Sequence, residues 1–116
     1  MLLVAAVVLY VGVSLLVADR ISRPVRKPIH TTPAAYGLQY EDVAFTSASD
    51  NVPLGGWYVD TPGDRTIMIL HGAGSVRDNF INMEVGRALA LQGFDIFLFD
   101  FRGHGGSGGD RTSLGE

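Results

Sequence analysis

Two short apolar runs separated by one amphipathic stretch restrict this chain more than any other feature. Residues 66–70 read TIMIL and residues 94–101 read FDIFLFDF, with SVRDNFINMEVGRALALQG between the turn after the first run and the start of the second. Uninterrupted apolar runs of this length belong to strands covered on both faces, as in a parallel sheet. In the stretch between them Ile81, Val85, Ala88 and Leu89 fall on one helical face, with Arg87 and Gln92 off it. Asp78 or Ser75 is placed to cap that helix, and Gly93 follows it where a left-handed glycine belongs. Strand, helix and strand then form a right-handed βαβ unit, and the fold class is α/β. Upstream, Tyr40, Asp42, Val43 and Phe45 alternate with the other face, and Trp57, Tyr58 and Val59 mark a second short strand beyond the turn-rich SASDNVP. These two read as an antiparallel hairpin or meander, with Trp57 and Tyr58 as half-buried sheet residues.

The front of the chain is of another kind. Residues 1–18, MLLVAAVVLYVGVSLLVA, carry no charge, and eighteen helical residues span about 27 Å, close to the hydrocarbon thickness of a bilayer. A cleaved signal peptide would want a basic start and a small residue at −3, where Leu16 stands; a buried core helix would show a polar stripe. The run is therefore expected to be a single-pass transmembrane helix. Residues 19–37 form a linker with Pro24, Pro28 and Pro33 and the cations Arg20, Arg23, Arg26 and Lys27. The prolines forbid a continuous helix and favour an extended tether. The cations suit anionic headgroups and place the body on the cytoplasmic side by the positive-inside rule. His30 is expected to be a solvated linker residue. A net charge of −3 with no basic patch argues against nucleic acid, and the absence of cysteine excludes disulfides and thiolate zinc sites. The three histidines, His30, His71 and His104, have no metal-ligand spacing.

The loop after the second apolar run matches two active-site signatures on paper. Gly105-Gly106-Ser107-Gly108-Gly109 is a G-x-S-x-G, and Gly103 to Gly108 is a G-x-G-x-x-G. A nucleophile elbow, however, sits directly between a strand and a helix, and Ser107 lies several residues past the strand with no helical period after it. A dinucleotide fingerprint follows the first strand, opens a helix and has an acidic partner some twenty residues on; none of this is present. The glycines read instead as a flexible or sharply turning βα loop at the carboxyl edge of the sheet, where ligands bind in such folds.

The order of these elements, with His71-Gly72-Ala73-Gly74 after one strand and Asp100-Phe101-Arg102-Gly103-His104-Gly105 after the next, resembles the amino-terminal portion of the α/β-hydrolase superfamily, in its serine aminopeptidase-like and lysophospholipase-like branch. The likeness covers residues 38–116. It implies that the backbone N–H of Ala73 forms half of an oxyanion hole, with His71 and Gly72 supporting that turn, and that His104 braces its loop. Asp100 would fix the loop, with Arg102 as its partner, rather than serve as a triad acid. It also implies that the 66–70 strand is central and that nucleophile, acid and base all follow the glycine loop, beyond residue 116. The chain is thus expected to be the amino-terminal fragment of a membrane-anchored hydrolase of about 250–300 residues, acting on a small ester or amide (including peptide) substrate through an acyl-enzyme. No cofactor or metal is implied, and the fragment alone is expected to be inactive. A non-catalytic, membrane-tethered interaction module on the same scaffold is the alternative.

An apolar central strand without its second neighbour leaves an open edge that promotes aggregation. A chain of residues 36–116 is therefore expected to be insoluble or molten. A sharp cooperative melt of that purified segment would refute the expectation.

Overall fold

The structure, a computed structural model, describes residues 1–112; residues 113–116, the end of the expected soluble part, lie outside the described residues. The elements in order are α1 (Leu2–Ser22), a short 3-10 helix (Pro33–Tyr36), β1 (Glu41–Thr46), β2 (Pro53–Val59), β3 (Thr66–Leu70), α2 (Phe80–Ala90) and β4 (Asp95–Phe99). The four strands form one sheet in the order β1-β2-β4-β3. β1 and β2 pair antiparallel, β2 and β4 pair antiparallel, and β3 and β4 run parallel, with Ile67 opposite Ile96 and Ile69 opposite Leu98. The βαβ unit thus carries the chain out to β3 and back, so that β4 is inserted beside β2.

α2 covers one face of this sheet. Trp57, Val59, Met83, Ala90, Ile96 and Leu98 are the buried core, with Ile67, Ile69, Leu89 and Phe94 packed around it. Burying a side chain such as Ile96 or Leu98 contributes about 2 kcal/mol. Period alone points Ile81, Val85 and Ala88 inward, but these are exposed, and the packed face carries Met83, Gly86 and Ala90, with Leu89 partly buried. The reason is distance. A Cβ at Gly86 would already lie 3.5 Å from both Ile69 and Ile96, so the helix sits close to the sheet and presents its small residues there. Its cap is neither Asp78 nor Ser75. The Asn79 side chain accepts the Ile81 N–H at 2.9 Å and donates to Ser75 Oγ, while Asp78 is engaged by the linker. Gly93 takes φ +87° after the helix, as its position predicts.

The opposite face of the sheet is aromatic. Phe45, Phe97 and Phe99 lie within 5.3–5.6 Å of one another, centroid to centroid. Met68 and Leu70 on this face are about half exposed. Among the described residues β3 is therefore an edge strand covered on one face, not the doubly covered central strand that its composition suggests: its apolar outer side chains have no layer packed on them here.

The linker is not a loose tether. α1 continues past Ala18 to Ser22, and the segment that follows is pinned to the body. The Asp78 carboxylate accepts the N–H groups of His30 (2.6 Å) and Thr31 (3.0 Å), and Pro33 is buried at the start of the 3-10 helix. The His30 ring is exposed, as expected.

Two glycines should respond oppositely to alanine. At Gly86 the added methyl meets only ordinary contacts and helix propensity favours it, so Gly86→Ala should raise the urea midpoint by roughly 0.5–1 M. At Gly56 the methyl would lie 2.6 Å from the Leu98 carbonyl oxygen, and the β2–β4 pairing cannot move away without breaking. Pulse proteolysis of the full-length protein in urea should show a stabilised Gly86→Ala and no protected fraction for Gly56→Ala.

Candidate active-site edge

Because β3 and β4 are parallel, the turns that follow them meet at one edge of the sheet. After β3, Ser75 N–H donates to the Gly72 carbonyl at 3.1 Å and Gly74 takes φ +69°, the pattern of a type II turn with Ala73 at its second position. A positive φ at the third position is why glycine stands there. Ala73 is exposed, and its N–H has no hydrogen-bond partner among the described residues.

Two histidines fix this turn to the loop after β4. His71 is buried, and its Nε2 accepts the Phe101 N–H at 3.1 Å while Nδ1 lies 2.9 Å from the Gly72 carbonyl. His104 is also buried; its Nε2 accepts the Gly74 N–H at 3.3 Å and its Nδ1 lies 2.9 Å from the Arg102 carbonyl. Both patterns are met by the tautomer that carries its proton on Nδ1. Each loop thus lends an imidazole to a backbone N–H of the other, and the rings lie 5.0 Å apart. With both nitrogens committed, neither ring faces a reacting group here. Burial pushes the His71 pKa below the usual histidine range, the nearby His104 adds to that, and the Gly72 carbonyl and Asp100 act the other way.

Asp100 is the buried hub of the second loop. Its Oδ1 accepts the Arg77 N–H at 2.7 Å and its Oδ2 the Gly106 N–H at 2.9 Å. Its ion-pair partner is Arg77, with Nε 3.5 Å from Oδ2. Arg102, the expected partner, points away from the loop and pairs with Asp50 at 2.7 Å. The Arg77 guanidinium lies 4.3 Å over the Trp57 ring, so a cation–π contact takes the place of the hydrogen bonds that its Nε and Nη1 lack. Burial lowers its pKa, and Asp100 and the more distant Asp42 and Asp78 oppose that.

The glycine loop is sharply turned rather than flexible. His104 N–H bonds to the Phe101 carbonyl and Ser107 N–H to the His104 carbonyl, two successive turns closed by Gly103 N–H on Gly108. Gly105 combines φ +44° with a position where any Cβ would run into the Asp100 carboxylate. Ser107 is buried; its hydroxyl donates to the Asp100 carbonyl at 2.5 Å and accepts the Gly55 N–H at 3.0 Å. It is a structural rivet between β2 and the loop, and its hydroxyl has no side-chain hydrogen-bond partner among the described residues.

Sequence reading did not single out Arg26 or Arg77. The Arg26 guanidinium bonds to the carbonyl oxygens of His104 (3.2 Å), Gly105 (2.8 Å), Ser107 and Gly109 (2.7 Å), closing the outside of the glycine loop. No local signal announces a contact between residues some eighty positions apart. Only the clustering of cations after α1 drew attention there, and it suggested lipid headgroups.

Comparison with known proteins agrees with this architecture. The model of the alpha/beta hydrolase fold family matches residues 65–113. The Pyrococcus furiosus esterase Pf2001 superposes with a TM-score of 0.74 at 38% identity, over 82% of this chain and 35% of the esterase. The alpha/beta hydrolase GrgF from Penicillium sp. sh18 gives 0.53 at 28% identity, over 63% of this chain and 25% of its own. The uncharacterized protein Rv2307c of Mycobacterium tuberculosis is 36% identical over 67 residues, 57% of this chain and 24% of its length. With both signature turns in place at the carboxyl ends of β3 and β4, the chain carries the first part of an α/β-hydrolase fold and is similar to members of that superfamily. It spans about a quarter of the length of the curated relative it matches.

The His71 environment has a pH signature. A histidine ordinarily titrates near 6.5, and the folded chain resists that protonation because the buried ring would have to carry charge, with His104 beside it. Below about pH 6.5 the unfolded chain therefore binds more protons, and stability that is full above this value declines as pH falls toward the folded-state pKa. Asp95, whose carboxyl is held low by the Thr61 N–H, then by the Tyr58 and Thr61 hydroxyls, loses its contribution only below the carboxylate range. The urea midpoint of the full-length protein should fall between about pH 7 and pH 5, and His71→Gln should flatten that slope.

Proposed function

We propose that this chain is the amino-terminal part of a membrane-anchored serine hydrolase that cleaves an ester or amide bond through an acyl-enzyme. Residues 1–18 and the turn that follows them serve as a single-pass anchor, with the body on the cytoplasmic side. The helix is uncharged through residue 18, is 21 residues long and has no buried residue, which supports that role.

One observation carries the catalytic part of this reading: the exposed, unpartnered N–H of Ala73, held at the end of a parallel strand by a turn that two histidines brace. Nucleophilic attack on a carbonyl places negative charge on its oxygen. A fixed donor at about 2.7–3.1 Å from that oxygen stabilises the transition state by about 3 kcal/mol. His71 and Gly72 support the donor and do not transfer protons. Nucleophile, acid and base are assigned to residues beyond 116, since Ser107 is bonded into the loop and His71 and His104 are committed to backbone. Residues 1–116 by themselves are therefore inactive. The substrate is a small ester or an amide, including a peptide; the esterase resemblance favours the ester.

A proline at the second position of a type II turn keeps the turn and removes the N–H. In the full-length protein, Ala73→Pro should lower kcat on an activated ester by about 10²–10³ without loss of folded protein. A fluorophosphonate probe should label a serine carboxyl-terminal to residue 116. Mapping of the adduct to the peptide containing Ser107 would overturn the assignment.

A further inference from the structure

Among the described residues, the hydrogen bonds that join the end of α1 and the strap after it to the body lie at one edge. Thr112 N–H donates to the Ser22 carbonyl at 2.8 Å, and Arg111 reaches Ser22 Oγ (2.9 Å) and Asp19 (2.7 Å). Arg26 then clasps the glycine loop, and His30 and Thr31 meet Asp78 just ahead of α2. All of these partners follow β3 or β4, so the end of α1 sits at the carboxyl edge of the sheet. The molecule measures 70 × 27 × 21 Å, and a 21-residue helix accounts for about 31 Å. α1 therefore projects away from the body as an unburied rod whose base is the same edge that carries Ala73.

We infer that the body is held with this edge toward the bilayer, and that the site takes amphiphilic acyl esters presented by the membrane rather than freely soluble ones. This inference rests on the anchor and hydrolase readings above. With α1 across the hydrocarbon, the short strap of residues 23–31 leaves no slack for the body to turn over, because Arg26 and the two amides on Asp78 fix it at both ends. The surfaces beside the strap match that setting. Val25 is 82% exposed, and Phe80 and Ile81, at the first turn of α2, are 68% and 67% exposed. An acyl chain can stay in the bilayer while its ester carbonyl, at headgroup depth, reaches the Ala73 N–H. The acyl C–O bond then breaks, and water supplies hydroxyl to the acyl carbon and a proton to the leaving alkoxide. The products are a fatty acid and an alcohol.

The test has two arms on the full-length protein in phosphatidylcholine vesicles. In the first, spin labels on single reporter cysteines report depth, and residues 1–116 contribute no cysteine of their own. Labels at Val25→Cys and Phe80→Cys should sit at headgroup depth. A label at Leu91→Cys, at the far end of α2, should be in bulk water. In the second, p-nitrophenyl dodecanoate embedded in the vesicles should be hydrolysed with a kcat/KM at least about tenfold above that of soluble p-nitrophenyl butyrate. A Phe80 label as water-exposed as the Leu91 label overturns the edge-down orientation. Cleavage of butyrate without preference for the embedded ester overturns the substrate class and leaves the hydrolase reading standing. Cleavage of neither ester removes the hydrolase reading and the substrate class together, whatever the labels report.

Discussion

A single buried carboxylate organises the edge of the sheet where β3 and β4 end. Asp100 is fully buried, and its two oxygens take backbone N–H groups from opposite directions: Arg77, ahead of α2, and Gly106, in the loop after β4. Leaving such a charge unpaired in the interior costs several kcal/mol, so the positions of both segments are coupled to it. The Arg77 side chain completes the pair from above the Trp57 ring and thereby ties the hub to β2. Even the main-chain oxygen of Asp100 is used, by the Ser107 hydroxyl.

Around this hub the two histidines act as matched braces rather than as chemistry. His71 takes the Phe101 N–H and His104 takes the Gly74 N–H, so each turn is shaped by a side chain from the other. Imidazole suits this task because, when neutral, it accepts on one nitrogen and donates on the other, satisfying two backbone groups from a single buried ring. The result leaves the Ala73 N–H exposed and without a partner among the described residues, while the N–H groups of Gly74 and Ser75 are bonded. Arg26 extends the same logic to α1, since four carbonyl oxygens of the glycine loop converge on a residue only four positions past the end of that helix.

Much of the fold was legible because its signals are periodic or punctuated. The continuous runs of β3 and β4, the helix between them and the left-handed Gly93 each follow from local rules. The packed face of α2 did not, because two faces compete. Ile81, Val85 and Ala88 form the more apolar one, yet Met83, Gly86 and Ala90 allow the closer approach. The helix cap went to Asn79 because Asp78 was claimed by His30 and Thr31, a competition with no trace in the local sequence. At the site, the turn residues His71, Gly72, Ala73 and Gly74 were identifiable from their pattern, as was the unsuitability of Ser107. The pairing of Asp100 with Arg77 rather than Arg102 was not, because it depends on where β1 and its following turn place Asp50.

Local rules along the chain set the α/β class, the apolar front helix, the two strand-end turns and the need for glycine at their tightest points. These depend on side-chain period and on backbone conformations that only certain residues adopt. Tertiary structure alone decided that the linker is a strap, that the histidines brace each other's loops and that α1 enters at the edge bearing Ala73. Those outcomes come from hydrogen bonds between segments far apart in the chain. Whether a polar side chain meets water, lipid or a distant carbonyl is settled only when the intervening strands have paired.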